Sequence, residues 1–136
     1  MRWYRLAAEQ GYVDAQTGLG FIYSFGHLYD LEIPEDYNES VKWYLLAAEQ
    51  GDNIAQTRLG MKYGERQNYM ESMKWYQLAA DQGNPDAQLH LGVMYENGKG
   101  VPQDYEEAVK CYWLAAHQGH PLSKEALGKL GIDWKK

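Results

Sequence analysis

The chain has 136 residues, 45% hydrophobic and 14% aromatic; this is enough apolar material for one domain with a core, and it excludes a wholly disordered chain. Nineteen acidic against thirteen basic residues leave a net charge of −6, which gives no electrostatic reason to seek phosphate backbones and disfavours nucleic-acid binding. A single cysteine, Cys111, excludes an internal disulfide framework, and no run of apolar residues is long enough for a membrane span.

The first predicted element is a helix carrying Trp3-Tyr4-Arg5-Leu6-Ala7-Ala8-Glu9-Gln10-Gly11. Arg5, Glu9 and Gln10 break up any apolar signal core, so a complete chain of this sequence is expected in the cytoplasm. The same motif returns at Trp43–Gly51, at Trp75–Gly83 and, with cysteine in the tryptophan place, at Cys111–Gly119. The offsets are 40, 32 and 36 residues, and a second motif, Leu19-Gly20, Leu59-Gly60, Leu91-Gly92 and Leu127-Gly128, drifts by the same amounts. Two motifs moving in step define an internal repeat, with the length variation placed in exposed connectors.

Each repeat reads as two helices. In the first, Ala15, Leu19 and Tyr23 stand four residues apart, as do Ala55, Leu59, Tyr63 and Ala87, Leu91, Tyr95, which makes one apolar stripe. In the second, Val41, Tyr44, Leu45 and Ala48 make the matching stripe. Glycine inside a helix costs about 1 kcal/mol against alanine, so the recurrence of Gly20, Gly60 and Gly92 predicts a close approach of two helix backbones. Asp36-x-x-Glu39, Asn68-x-x-Glu71 and Asp104-x-x-Glu107 are capping boxes at the second-helix starts. Gly11, Gly51, Gly83 and Gly119 end those helices, and Asn84-Pro85 starts the next one directly. The turn between repeats is therefore short, and the next helix folds back antiparallel.

These signals predict an all-α chain built as an α–α superhelix. It is a single repeat domain over 1–136: a half-pair at 1–12, repeats at about 13–51, 52–83 and 84–119, and a terminal half-pair at 120–136. The half-pairs predict a piece of a longer array or an open end covered by another chain.

At Ala87-x-x-x-Leu91-Gly92-x-x-Tyr95-x-x-Gly98-x-Gly100-Val101-x-x-Asp104-Tyr105-x-x-Ala108, then Ala115-Ala116-x-x-Gly119, the chain resembles the Sel-one-like repeat family, a relative of the tetratricopeptide repeat. The first unit departs from that pattern with a longer Ser24–Glu35 segment, and the second shortens the loop to Gly64–Gln67. The resemblance implies a right-handed, tetratricopeptide-like solenoid of antiparallel helix pairs. It also implies use as an adaptor in protein assembly, with the first helices lining a concave face.

The positions flanking the Leu-Gly core on that face are Asp14, Thr17 and Phe21, then Ile54, Thr57 and Met61, then Asp86, Leu89 and Val93. They vary where the core repeats. The expected partner is a protein segment, an extended peptide or a helix with apolar anchors and a Lys or Arg facing Asp14 and Asp86. No nucleic acid, membrane, metal or other cofactor is expected. A hydrolase-type enzyme with a groove site, or self-association through open repeat ends, is the alternative.

The chemistry-bearing residues read mainly as structure. Cys111 reads as a small buried hydrophobe, and the recurrent Trp43, Trp75, Tyr44, Tyr76 and Tyr112 as core. His117 and His120 read as surface residues at a helix C-terminus, and His27 and His90 as isolated. Gly98-Lys99-Gly100 lacks the rest of a phosphate loop, and Asp104 takes the helix N-terminus an anion would need. A hydrolase would draw on Ser24, Ser40, Ser72 or Ser123, of which Ser40 and Ser72 sit where the third unit has Ala108. Trp134, outside the repeat register, reads as a plug over the last helix.

Overall fold

The computed structural model describes residues 2–26 and 35–135. His27 and most of the Ser24–Glu35 segment lie outside them. Eight helices account for the described chain: α1 (Arg2–Glu9), α2 (Val13–Phe25), α3 (Tyr37–Glu49), α4 (Asn53–Glu65), α5 (Tyr69–Asp81), α6 (Pro85–Asn97), α7 (Tyr105–His117) and α8 (Pro121–Lys129). No strand occurs among the described residues. The tightest partners are α2 with α3, α4 with α5 and α6 with α7; α1 packs on α2, and α8 on α7. Packing is between sequence neighbours, as in a helical repeat solenoid.

The predicted stripes are buried. Leu19, Leu59 and Leu127 have no exposed surface, Leu91 has almost none, and Ala55, Ala87, Tyr44 and Tyr112 are equally enclosed. These core clusters also draw on the second helix of the preceding pair. Trp43 packs with Ala8, Ala15 and Leu19, and Trp75 with Tyr44, Ala55 and Leu59. Cys111 takes the corresponding place against Tyr76, Ala79 and Leu91. The tryptophan of one pair thus packs on its own first helix and on the second helix of the pair before it, which is why no pair can close its core alone.

The caps hold, with one difference. The side chains of Asp36, Asn68 and Asp104 accept from the backbone N–H of Glu39, Glu71 and Glu107. The returning half of a capping box does not form. The N–H of Asp36, Asn68 and Asp104 instead donates to the carbonyl of Tyr23, Tyr63 and Tyr95, at 2.8–2.9 Å. That bond ties each second helix to the end of its own first helix across a loop of variable length. Gly51, Gly83 and Gly119 sit at φ of +90° to +94°, and Asp52, Asn84 and His120 cap the next helix immediately afterwards.

The helix glycines are explained by a side chain rather than by a second backbone. A Cβ on Gly20, Gly60 or Gly92 would lie 2.5–2.8 Å from the ring of Tyr44, Tyr76 or Tyr112. Each tyrosine ring lies against its glycine, with the carbonyl of Ser72 also close to Gly60. The Gly98–Gly100 loop is equally structural, since Gly100, at φ +78°, lies against the Tyr69 carbonyl.

A ladder of glutamines runs through the stack. Gln16, Gln56 and Gln88 each donate to an alanine carbonyl of the preceding second helix, Ala8, Ala48 and Ala80. Each also accepts from a glutamine that follows its own repeat's second helix: Gln50, Gln82 and Gln118. One buried side chain therefore joins two repeats and satisfies its own amide.

Trp134 lies on the cluster of Ala108, Tyr112, Ala116 and Leu127 at the α7–α8 end. Its ring lies under the Lys124 ammonium at 4.5 Å and meets His117 edge-on. This is the side of a helix pair that Trp43 and Trp75 cover elsewhere.

Candidate functional site

Three first-position helices, α4, α6 and α8, together line a groove of about 450 Å³. Ile54, Thr57, Arg58 and Met61 come from α4, which runs one full stripe along its wall. Asp86, Leu89 and His90 come from α6, with its cap Asn84. Leu122 comes from α8, with its cap His120. Short turns place the caps here: each glycine-ended second helix delivers its successor's N-terminus to the same edge of the stack.

Of the nine positions expected to face a partner, Ile54, Thr57, Met61, Asp86 and Leu89 come together in this groove. Val93 lines an adjoining hollow with Glu96, Leu122 and Ala126. Asp14 lies apart, in a hollow with Trp3, Tyr4 and Tyr12. Phe21 packs against Phe25 with ring centroids 4.9 Å apart and the rings tilted by 53°. The hydroxyl of Thr17 donates to Asp52 at 2.6 Å, and that of Thr57 to the Asn53 carbonyl at 2.8 Å. Both threonine hydroxyls thus serve the helix stack. Ile54 and Leu122 are the exposed apolar members, each more than half open to solvent.

The groove's polar groups are mostly engaged. Asn84 caps Ala87 through its oxygen and donates to Asn53 through its nitrogen. His120 accepts the Ser123 amide on Nδ1, so its proton sits on Nε2, which donates to Asp86 at 2.8 Å. His120 is therefore the N-cap of α8, not a helix C-terminal residue, and only 11% of its side chain is exposed. His117, by contrast, is exposed at the end of α7, its ring tilted against that of Trp113. His90 stacks on Tyr76 at 4.9 Å, and burial pushes its pKa down, which favours the neutral ring. Arg58, Leu122 and His120 are members of the groove that sequence reasoning missed. Leu122 shares a register position with Asp14, Ile54 and Asp86, so the repeat itself could have found it.

The nucleophile candidates sit poorly for chemistry. The Ser123 hydroxyl lies 3.2 Å from His120 Nδ1, which continues to Asp86, a sequence of residue types familiar from hydrolases. Ser123 occupies the register of Ala15, Ala55 and Ala87, however, and has no exposed surface for a substrate to reach. Ser72 donates to the Gly60 carbonyl and Ser40 to the Tyr37 carbonyl; both are buried, as is Ser24. Burial pushes the Cys111 thiol up to about 11. Alkylation of Cys111 by iodoacetamide at pH 8 is accordingly expected to run about a hundredfold more slowly in the folded chain than in urea. Equal rates would place that thiol in water. Among the described residues no three His, Cys, Asp or Glu side chains converge as metal ligands, and no helix is long and apolar enough to cross a membrane.

A stack of helix pairs with a shallow groove and no reachable nucleophile among the described serines defines the class: a helical repeat solenoid. The Sel1 repeat model matches residues 1–12, 13–52, 53–84 and 85–120, and the chain belongs to that family. A protective antigen present in uropathogenic Escherichia coli strains, displaying an SLR fold, is 41% identical over 96% of this chain and 28% of its own, with a TM-score of 0.87. A Sel1 repeat protein from Oxalobacter formigenes is 32% identical over 95% of this chain and 53% of its own, at 0.82. The cysteine rich protein B of Helicobacter pylori, 21% identical over 91% of this chain and 94% of its own at 0.66, shares the fold. The chain spans about half or less of the first two proteins. Comparison with curated proteins finds no match. Sel1 repeats generally serve as protein–protein interaction modules and are typically non-catalytic.

Proposed function

We propose that this chain is a non-catalytic interaction module and that the groove across α4, α6 and α8 holds a segment of a partner protein, either an extended peptide or one face of a helix. The observation that carries the reading is the pairing of Ile54 and Leu122. They hold the same register position in two repeats, are exposed by 55% and 57%, and flank a groove floored by Met61 and Leu89. Apolar groups at a groove edge gain about 25 cal/mol per Å² when a partner covers them. The remaining predicted positions, Asp14, Thr17, Phe21 and Val93, stand outside this groove.

The test is a selection of random peptides displayed on phage against the chain. The selected peptides should lose at least about tenfold in affinity for the double variant Ile54→Glu, Leu122→Glu, with helicity and melting temperature unchanged because both side chains are exposed. Selected peptides that bind the double variant as well as the parent would move the site elsewhere.

A further inference from the structure

The groove contains two full charges, Asp86, which accepts from His120, and Arg58. Among the described residues no carboxylate pairs with Arg58. Its guanidinium lies 5.4 Å from the centroid of Phe21 and 5.9 Å from that of Phe25, with Nη1 at 3.9 Å from the Met61 sulfur. Ring faces and a thioether hold the planar group in place while using little of its capacity of five N–H donors. The groove's own acid, Asp86, already accepts from His120. Asn84 is engaged at both ends, and the Thr57 hydroxyl at one. What the groove offers is therefore a positioned guanidinium beside apolar surface that no carboxylate among the described residues engages.

We propose that the groove selects a partner segment bearing an acidic side chain between apolar residues, with Arg58 as the group that pairs with that carboxylate. The proposal rests on the groove reading above and names its chemistry. It reverses the expectation of a partner Lys or Arg drawn to Asp86, because the His120 contact has taken up part of what that carboxylate can offer. An internal acidic side chain fits better than a chain-terminal carboxylate, since apolar lining lies on both sides of Arg58: Ile54 one turn before it and Met61 one turn after it on α4. The chain's net charge of −6 opposes an acidic partner at long range. The preference therefore comes from contact, where a guanidinium–carboxylate pair forms strong, charge-assisted hydrogen bonds.

The experiment uses short, C-terminally amidated, fluorescein-labelled peptide pools in which apolar positions flank one fixed site held as Glu, Gln or Lys. Fluorescence polarisation is read against the parent chain, Arg58→Gln, Arg58→Lys and the Ile54→Glu, Leu122→Glu double variant. The Glu pool should bind the parent about tenfold more tightly than the Gln pool. Arg58→Gln should bring the two pools level while leaving binding of the Gln pool unchanged, and Arg58→Lys should restore part of the preference. Glu and Gln pools that bind equally, both weakened by the double variant, would keep the groove and overturn the carboxylate pairing. A preference for the Lys pool, or a Glu preference that survives Arg58→Gln, would overturn it as well. Failure of every pool to bind, or pool binding indifferent to the double variant, would overturn the groove reading itself.

Discussion

Gly92→Ala is expected to destabilise the chain by about 2 kcal/mol, although alanine is the better helix former by about 1 kcal/mol. The new methyl would sit 2.5 Å from Tyr112 Cε1 and 2.6 Å from Cδ1, roughly an ångström inside an ordinary carbon–carbon contact. The tyrosine cannot swing aside cheaply: it is 1% exposed, packed with Ala108, Ala116 and Leu127, and its hydroxyl donates to Glu96. Thermal denaturation followed by circular dichroism should show a fall of about 8 °C. Gly128→Ala provides the opposite sign. Gly128 holds the same register position, but a methyl there would meet no heavy atom within 4 Å beyond its immediate helix surroundings. Relief of the glycine penalty should then dominate, with a gain of up to about 1 kcal/mol. A destabilisation of equal size at both positions would show that the ring contact is not what selects glycine.

Leu59→Ala should cost about 3 kcal/mol and act on the whole stack. Leu59 has no exposed surface and sits in the cluster that joins Tyr44 and Ala48 of α3 with Ala55 of α4 and Trp75 of α5. A cavity there weakens the junction between two repeats, so both halves of the array lose a neighbour. Leu127 is equally buried, but α8 packs chiefly on α7. Leu127→Ala should release α8 alone. Amide hydrogen exchange separates the two. Protection from α2 to α7 should fall in Leu59→Ala and stay unchanged in Leu127→Ala, where only α8 exchanges faster. Loss of protection across all helices in both variants would mean a single globular core rather than a linear chain of contacts.

The two sets of variants bear on different parts of what the sequence displays. The repeat, the helix pairs, the glycine stops and the N-caps are all readable locally, because helix ends and backbone geometry are decided within a few residues. Asp36, Asn68 and Asp104 announce themselves by type. His120 does the same job without doing so, since histidine is not a usual N-cap and reveals itself only through its bond to the Ser123 amide. The members of the glutamine ladder, Gln16, Gln56 and Gln88 with Gln50, Gln82 and Gln118, recur at fixed places in the sequence. Their role stays hidden there, because a polar residue inside an apolar stripe looks like a solvent-facing break until its partners are seen. The capping boxes illustrate the reverse. The spacing of Asp104 and Glu107 promises a reciprocal pair, yet the Tyr95 carbonyl competes successfully for the Asp104 amide.

Local and repeated signals suffice to establish that this chain is a row of helix pairs and which residues form their cores. Periodicity, capping types and recurrent glycines each act over a few residues, and they add up along the chain. Which of the varied positions meet is a matter of packing. The folded stack gathers Ile54, Met61, Leu89 and Leu122 into one groove, sends Asp14 to another hollow, joins Asp86 to His120, and leaves Arg58 without a carboxylate among the described residues. Those outcomes depend on whether a polar group is already satisfied by a side chain some thirty residues away, and no local pattern carries that information.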